Sequence, residues 1–136
     1  MNHFVEQAQQ HLTRTAIIAE GRAYSYKELL VASAEIAHLL LQQKADLAEA
    51  RIAFLVRPGF DYVKTQWGIW RAGGIAVPLC TQHPLPSIRY VLEDTEASTL
   101  IVSEDYWDFL SPLAEELNLQ YYSLGQLLAT EHGELP

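Results

Sequence analysis

Apolar and small residues along this chain recur with two different periods, and the switching between them predicts the order of elements. Leu29, Ala32, Ser33, Ile36, Ala37 and Leu40 fall at i, i+3, i+4, i+7, i+8 and i+11, one face of a helix running to about Gln43. Its start is marked by "SYKE". Ser25 stands as N-cap with Glu28 three residues on, a capping box in which each side chain satisfies a backbone donor of the first turn. Tyr24 is placed to staple onto Leu29. Ahead of this, after a polar start, "TAIIA" (Thr15 to Ala19) and "AYSY" flank Gly21 and Arg22 and read as a short hairpin.

The run "RIAFLV" (Arg51 to Val56) has strand length and almost no polar member, as expected of a parallel strand covered on both faces. Beyond "RPG", Phe60, Val63, Trp67 and Trp70 form one stripe at helical spacing, and that helix ends at Gly73 and Gly74. "IAVPL" follows as a buried strand. Next comes a helix in "HPLPSIRYVLEDTEA" with Ile88, Val91 and Leu92 on one face and proline at its start, then the strand "STLIVS". A last helix carries Leu110, Leu113, Ala114 and Leu117, and "LQYY" supplies a further short strand. Strands alternating with helices predict an α/β fold: a mostly parallel sheet with helices on both faces, preceded by a short N-terminal hairpin. Residues 1–136 read as a single domain, in which the polar stretch 131–136 is expected to be a linker or a cut end.

Composition narrows the chemistry. At 136 residues and 49% apolar, the chain is long enough to bury about two-thirds of its unfolded surface. A formal charge of −8 opposes binding to phosphate backbones and anionic lipid, so neither nucleic acid nor a membrane is expected as partner. The single cysteine, Cys80, allows no intramolecular disulfide and suits a reducing compartment, so a cytoplasmic location is expected. There is no charged lead with an apolar run like that of a secretory signal, no stretch of roughly 20 apolar residues and no internal repeat.

"GIWRAGGIAVPL" invites a phosphate-loop reading because of its glycine pair. A phosphate cradle needs strand, glycine turn and then helix N-terminus, where orphan N–H groups and the positive dipole end lie. Gly73 and Gly74 sit at the opposite end of their helix and mark a corner instead. His3, His11, His38, His83 and His132 show no spacing of a metal site, and no metal is expected. Cys80 with His83 lacks a third member, so a buried or idle thiol is expected. Glu93–Asp94 and Glu115–Glu116 read as solvated faces. Two loops follow strands: "VRPG", where Arg57 could clamp an anion but an ordinary turn is favoured, and "LCTQHPLP", a candidate ligand rim whose plainer reading is a strand-to-helix connection.

Taken in order, "RAYSYKELLVASAEIAHLLL" and "RIAFLVRPGFDYVKTQWGIWRAGGIAVPLCTQHPLPSIRYVLEDTEASTLIVSE" resemble the N-terminal portion of AMP-forming acyl-CoA synthetases, within the adenylate-forming superfamily. The resemblance spans Thr15 to Tyr122 and is greatest to the malonyl-CoA type. It implies a fatty-acid-type ligase reaction, in which a carboxylate attacks ATP to give an acyl-adenylate and a thiol, usually CoA, then takes the acyl group. ATP, magnesium and CoA are thereby implied for a full enzyme and none is expected to be bound by this chain, because the family's Ser/Thr/Gly loop ending in Pro-Lys has no counterpart here. No catalytic residue is expected in these residues. The loop matching Thr81, Gln82 and His83 can lie towards CoA in such enzymes. Here only His83 could be cationic, which weakens that substrate-binding role. The expected partner is the remainder of a synthetase, or a second copy, through an exposed apolar face. The rival reading is a free-standing interaction or scaffold module that keeps the fold.

Overall fold

A computed structural model describes residues 3–42 and 46–125. The predicted hairpin is present. Strands β1 (Thr15–Ala19) and β2 (Arg22–Ser25) pair antiparallel around Glu20 and Gly21, whose φ values of 52° and 77° form the tight turn. Helix α2 (Tyr26–Leu41) starts on the predicted capping box: Ser25 Oγ accepts from the Glu28 N–H at 3.2 Å, and Glu28 Oε1 accepts from the Ser25 N–H at 3.2 Å. It stops at Gln42, a left-handed C-cap; the predicted end at Gln43 lies outside the described residues.

Strands β3 (Arg51–Leu55), β4 (Ile75–Pro78), β5 (Thr99–Val102) and β6 (Gln120–Ser123) form one wholly parallel sheet in the order β4-β3-β5-β6. Helices α3 (Phe60–Arg71), α4 (Leu85–Asp94) and α5 (Trp107–Glu116) link them in chain order. Because successive strand residues point to opposite faces, one strand feeds two cores. Ile52, Phe54 and Val56 join Ile101 in packing against Ile36 and Leu40 of α2 and Ile69 of α3. Ala53 and Leu55 join Leu100 and Val102 against Ile88 and Leu92 of α4 and Leu110 and Leu113 of α5. Central burial on both faces explains why β3 reads as an unbroken apolar run.

The glycine pair is the predicted corner. Gly73 has φ of 86°, and the Gly74 N–H closes back on the Ile69 carbonyl at 2.9 Å, satisfying a last-turn acceptor. Three expectations need correction. Helix α1 (His3–Gln9) occupies what read as a polar start, burying Val5 and Ala8 against Leu30. β4 is an edge strand rather than a buried one: Ile75 is 39% exposed and Pro78, which has no N–H to give, sits where a missing donor is tolerated. On α3 the most buried positions are Lys64, Thr65, Gly68 and Ile69, not the aromatic stripe. Trp67 and Trp70 lie instead against Phe4 of α1, with ring centroids 4.6 and 5.3 Å apart.

Gly68 accounts for the burial of that face. A Cβ there would lie 2.6 Å from Ile36 Cγ2, so the bare glycine lets α3 approach α2 closely. Arg71 ties the same seam, donating to the Leu30 carbonyl at 2.8 Å and to Ser33 Oγ at 3.0 Å. Partial burial lowers its pKa from the usual arginine value.

Candidate functional site

In open α/β sheets ligands lie outside the carboxyl ends of the strands, where neighbouring connections leave in opposite directions. Here that place is between β3 and β5, because the chain runs from β3 outward to β4 and then back across to β5. A crevice of about 250 Å³ opens there, walled by Glu20, Tyr24, Arg57, Phe60, Ser103 and Asp105 among others.

Its geometry sets what it can do. The loop after β3 is joined to the loop after β5 by the Arg57 N–H, which donates to Ser103 Oγ at 3.1 Å. The Arg57 guanidinium is ion-paired to Asp105 and lies 5.5 Å from the centre of the Tyr106 ring. The hydrogen bond from Arg57 holds the Asp105 carboxyl below the usual carboxylate range and raises the guanidinium in return. Among the described residues that line the crevice, the one base is therefore already paired with a carboxylate. Gly59, with φ of 140°, lets the loop turn tightly beside the hairpin, whose Ala19 Cβ would be 3.8 Å from an added Cβ.

The hairpin is fixed over this end of α3 by a stack. Tyr24 and Phe60 lie face to face with centroids 4.0 Å apart, the Arg22 guanidinium sits 4.4 Å from the Tyr24 ring, and the Lys64 ammonium 5.7 Å from Phe60. Stacked aromatic and cation–π contacts each contribute about 0.5–1.5 kcal/mol. An open groove of about 670 Å³ runs on from the stack along α2, bordered by Arg22, Lys27, Glu28, Val31 and Glu35. Its Arg22 is paired to Glu28 at 2.8 Å.

Thr81, Gln82 and His83 occupy the turn after the edge strand β4, closed by the His83 N–H donating to the Cys80 carbonyl at 3.1 Å. Thr81 is half-buried, and Gln82 and His83 are exposed. They share the carboxyl end of the sheet with the crevice but do not line it. Of the two alternatives for Cys80, buried or idle, burial is corrected: the thiol is exposed, since the edge strand leaves its end uncovered. Among the described residues no three His, Cys, Asp or Glu side chains come together as metal ligands, and His132 lies outside those residues. Glu93 and Glu116 are exposed partners of Arg89. Sequence reasoning missed Ser103 and Asp105. The signal was "SEDY", which follows β5 as "RPG" follows β3, and becomes visible only once the two strands are known to be neighbours.

A model of the AMP-binding enzyme family matches residues 4–130. The mitochondrial malonate–CoA ligase of Homo sapiens is 34% identical over 127 residues, which cover 90% of this chain and 22% of that protein. Among solved structures, unliganded O-succinylbenzoate coenzyme A synthetase from Bacillus subtilis superposes with a TM-score of 0.80 at 22% identity, covering 93% of this chain and 27% of that one. ATP-bound MatB from Rhodopseudomonas palustris gives 0.76 at 20% identity, covering 91% and 25%. The chain spans about a fifth of the length of the malonate–CoA ligases it matches.

Proposed function

The chain belongs to the AMP-binding enzyme family, and we propose that it forms the leading part of an ATP-dependent ligase that joins a carboxylic acid, malonate, to CoA through an acyl-adenylate. The observation that carries this reading is the family match over residues 4–130, together with 34% identity to a malonate–CoA ligase. The described residues do not themselves fit ATP and magnesium. Binding a triphosphate needs backbone N–H groups free of side chains at a strand-to-helix turn, with a lysine aimed at the phosphates. The corresponding turn here, Val56 to Gly59, offers one glycine and an arginine held by Asp105. The part of this chain is therefore to scaffold, and residues outside it supply the phosphate chemistry.

Two surfaces fit that division. The hairpin is a sheet of only two strands, and such a ribbon is marginal unless further strands or a packed face support it. Ile18 on β1 is 76% exposed, which supports the hairpin as a surface onto which the rest of a ligase adds. The turn Thr81, Gln82 and His83 stands at the carboxyl end of the sheet and is open to solvent, as a rim towards CoA would need to be.

A chimaera tests the proposal. The matching fifth of the human malonate–CoA ligase is replaced by this chain, and malonate-dependent AMP release is measured beside the isolated chain. AMP release by the chimaera and none by the isolated chain is the expected result. A chimaera that is monodisperse and folded by circular dichroism but silent with malonate counts against the reading. Adenylate formation by the isolated chain would overturn the scaffold role.

A further inference from the structure

The two faces of the sheet are covered in different ways. α2 and α3 meet closely through Gly68, whereas α4 and α5 pack on the sheet without packing closely on each other. Between them lies a trough of about 340 Å³ lined by Leu85, Pro86, Arg89, Pro112, Leu113 and Glu116. Its lining is apolar apart from Arg89 and Glu116, whose ion pair bridges the two helices. Phe109 stands three and four residues before Pro112 and Leu113, so it extends the same stripe of α5. Leu85 and Phe109, 37% and 45% exposed, are therefore large apolar side chains left open at one seam.

The charge around the trough is one-sided. α4 and α5 carry a single base, Arg89, against five acids: Glu93, Asp94, Asp108, Glu115 and Glu116. Arg89 is moreover shared between Glu93 and Glu116. An anionic ligand or an acidic membrane surface would meet uncompensated carboxylates there, whereas a base would meet partners. Each ten-residue helix is about 15 Å long, which matches two to three turns of a third helix laid in the seam.

We infer that the α4/α5 trough is a docking groove for a basic amphipathic helix of a partner protein. The helix seats an i, i+3, i+4, i+7 apolar stripe on Leu85, Phe109, Pro112 and Leu113, and its flanking lysines or arginines face Glu93, Asp108, Glu115 and Glu116. This surface lies on the opposite face of the sheet from α2 and α3.

The test titrates the full chain with a synthetic helical peptide carrying leucine at that spacing and lysine on the opposite face, followed by calorimetry. Its counterpart has glutamate in place of lysine. The expected result is binding of the lysine peptide alone, weakened by salt and weakened at least tenfold by Leu85→Glu and by Phe109→Glu, but not by Ile18→Glu on the hairpin. Leu85→Glu adds a carboxylate, so attraction by charge alone would tighten rather than weaken. Unchanged or tighter binding to that variant overturns the groove. So does equal binding of the glutamate peptide, or a Kd for the lysine peptide above about 1 mM. Sedimentation showing a dimer that Leu85→Glu dissolves would assign the seam to a second copy and overturn the heterologous partner.

Discussion

Gly68→Ala should destabilise the domain although it places a better helix former in the middle of a helix. On an exposed face that exchange is worth about 0.5–1 kcal/mol in favour of alanine. At Gly68 the new Cβ would stand 2.6 Å from Ile36 Cγ2, 2.7 Å from Ile36 Cβ and 3.1 Å from the Ser33 carbonyl oxygen. Ile36 is fully buried and its χ1 is stiff, so it cannot swing aside as a long surface side chain would. Relief requires α3 to move off α2, and overpacking of this kind costs about 1–3 kcal/mol. The net expectation is a loss of about 1–2 kcal/mol, or roughly 3–10 °C in Tm for a domain of this size. Urea unfolding of the single variants and of Gly68→Ala combined with Ile36→Ala provides the measurement. Ile36→Ala alone should cost about 2–5 kcal/mol. In the double variant the two effects should fall short of additivity by 1 kcal/mol or more, because the truncated side chain vacates the space the new methyl needs. Additive losses, or a Gly68→Ala variant more stable than the parent, would refute the close-approach argument.

Ser25→Ala removes one half of the capping box on α2 and should lower stability by about 1 kcal/mol, read as a shift of the urea midpoint with unchanged slope. Gly73→Ala forces a side chain into φ of 86° and against the Asp46 carboxylate, and should cost about 1–2 kcal/mol; a neutral result would mean that the corner relaxes. Tyr121 donates to the Trp107 carbonyl at 2.7 Å, and burial, with the Asp108 charge, raises its phenol from 10.0 to about 12. A raised folded-state pKa gives stability that is complete below the unfolded value near 10 and is lost as pH climbs through 12. Ultraviolet titration should show one late-ionising tyrosine that disappears in Tyr121→Phe, and its persistence in that variant would reassign it. Asp105, held low by Arg57, stabilises above its unfolded pKa near 3.9 and loses that contribution as pH falls below it. Asp105→Asn should remove that part of the acid dependence of Tm.

The sheet was legible because β3, β5 and their helices carry their periods without interruption. The capping box and the glycine corner were legible because each is a local rule with a fixed spacing. What escaped was decided by tertiary neighbours. α1 has only Phe4, Val5 and Ala8 to advertise it, and those residues gain meaning only against Leu30 and Trp67. The aromatic stripe of α3 suggested the core face because tryptophans are large, but close approach through Gly68 reserves that face for small and aliphatic groups. The exposure of β4 follows from strand order, which no single strand's sequence encodes. At the crevice, Arg57 was visible, and the carboxylate that cancels it, 48 residues further on, was not.

That pairing separates two loop sites that share the carboxyl end of the sheet. A strand-to-helix turn with an arginine and a glycine has the topology of an anion site, and topology alone would favour one between β3 and β5. The electrostatics run the other way. Asp105 and Glu20 stand in the crevice with Arg57, so an incoming phosphate would have to displace a carboxylate already hydrogen-bonded to the guanidinium. It would then meet that carboxylate's charge at short range. The turn after β4 has the opposite balance: Thr81 is half-buried, Gln82 and His83 are exposed, and none of the three is an acid. The charge balance favours the edge-strand turn over the switch-point crevice as the place for an anion. Asp105→Asn supplies the contrast: it frees Arg57, and should confer on the crevice an affinity for inorganic pyrophosphate that the parent chain lacks.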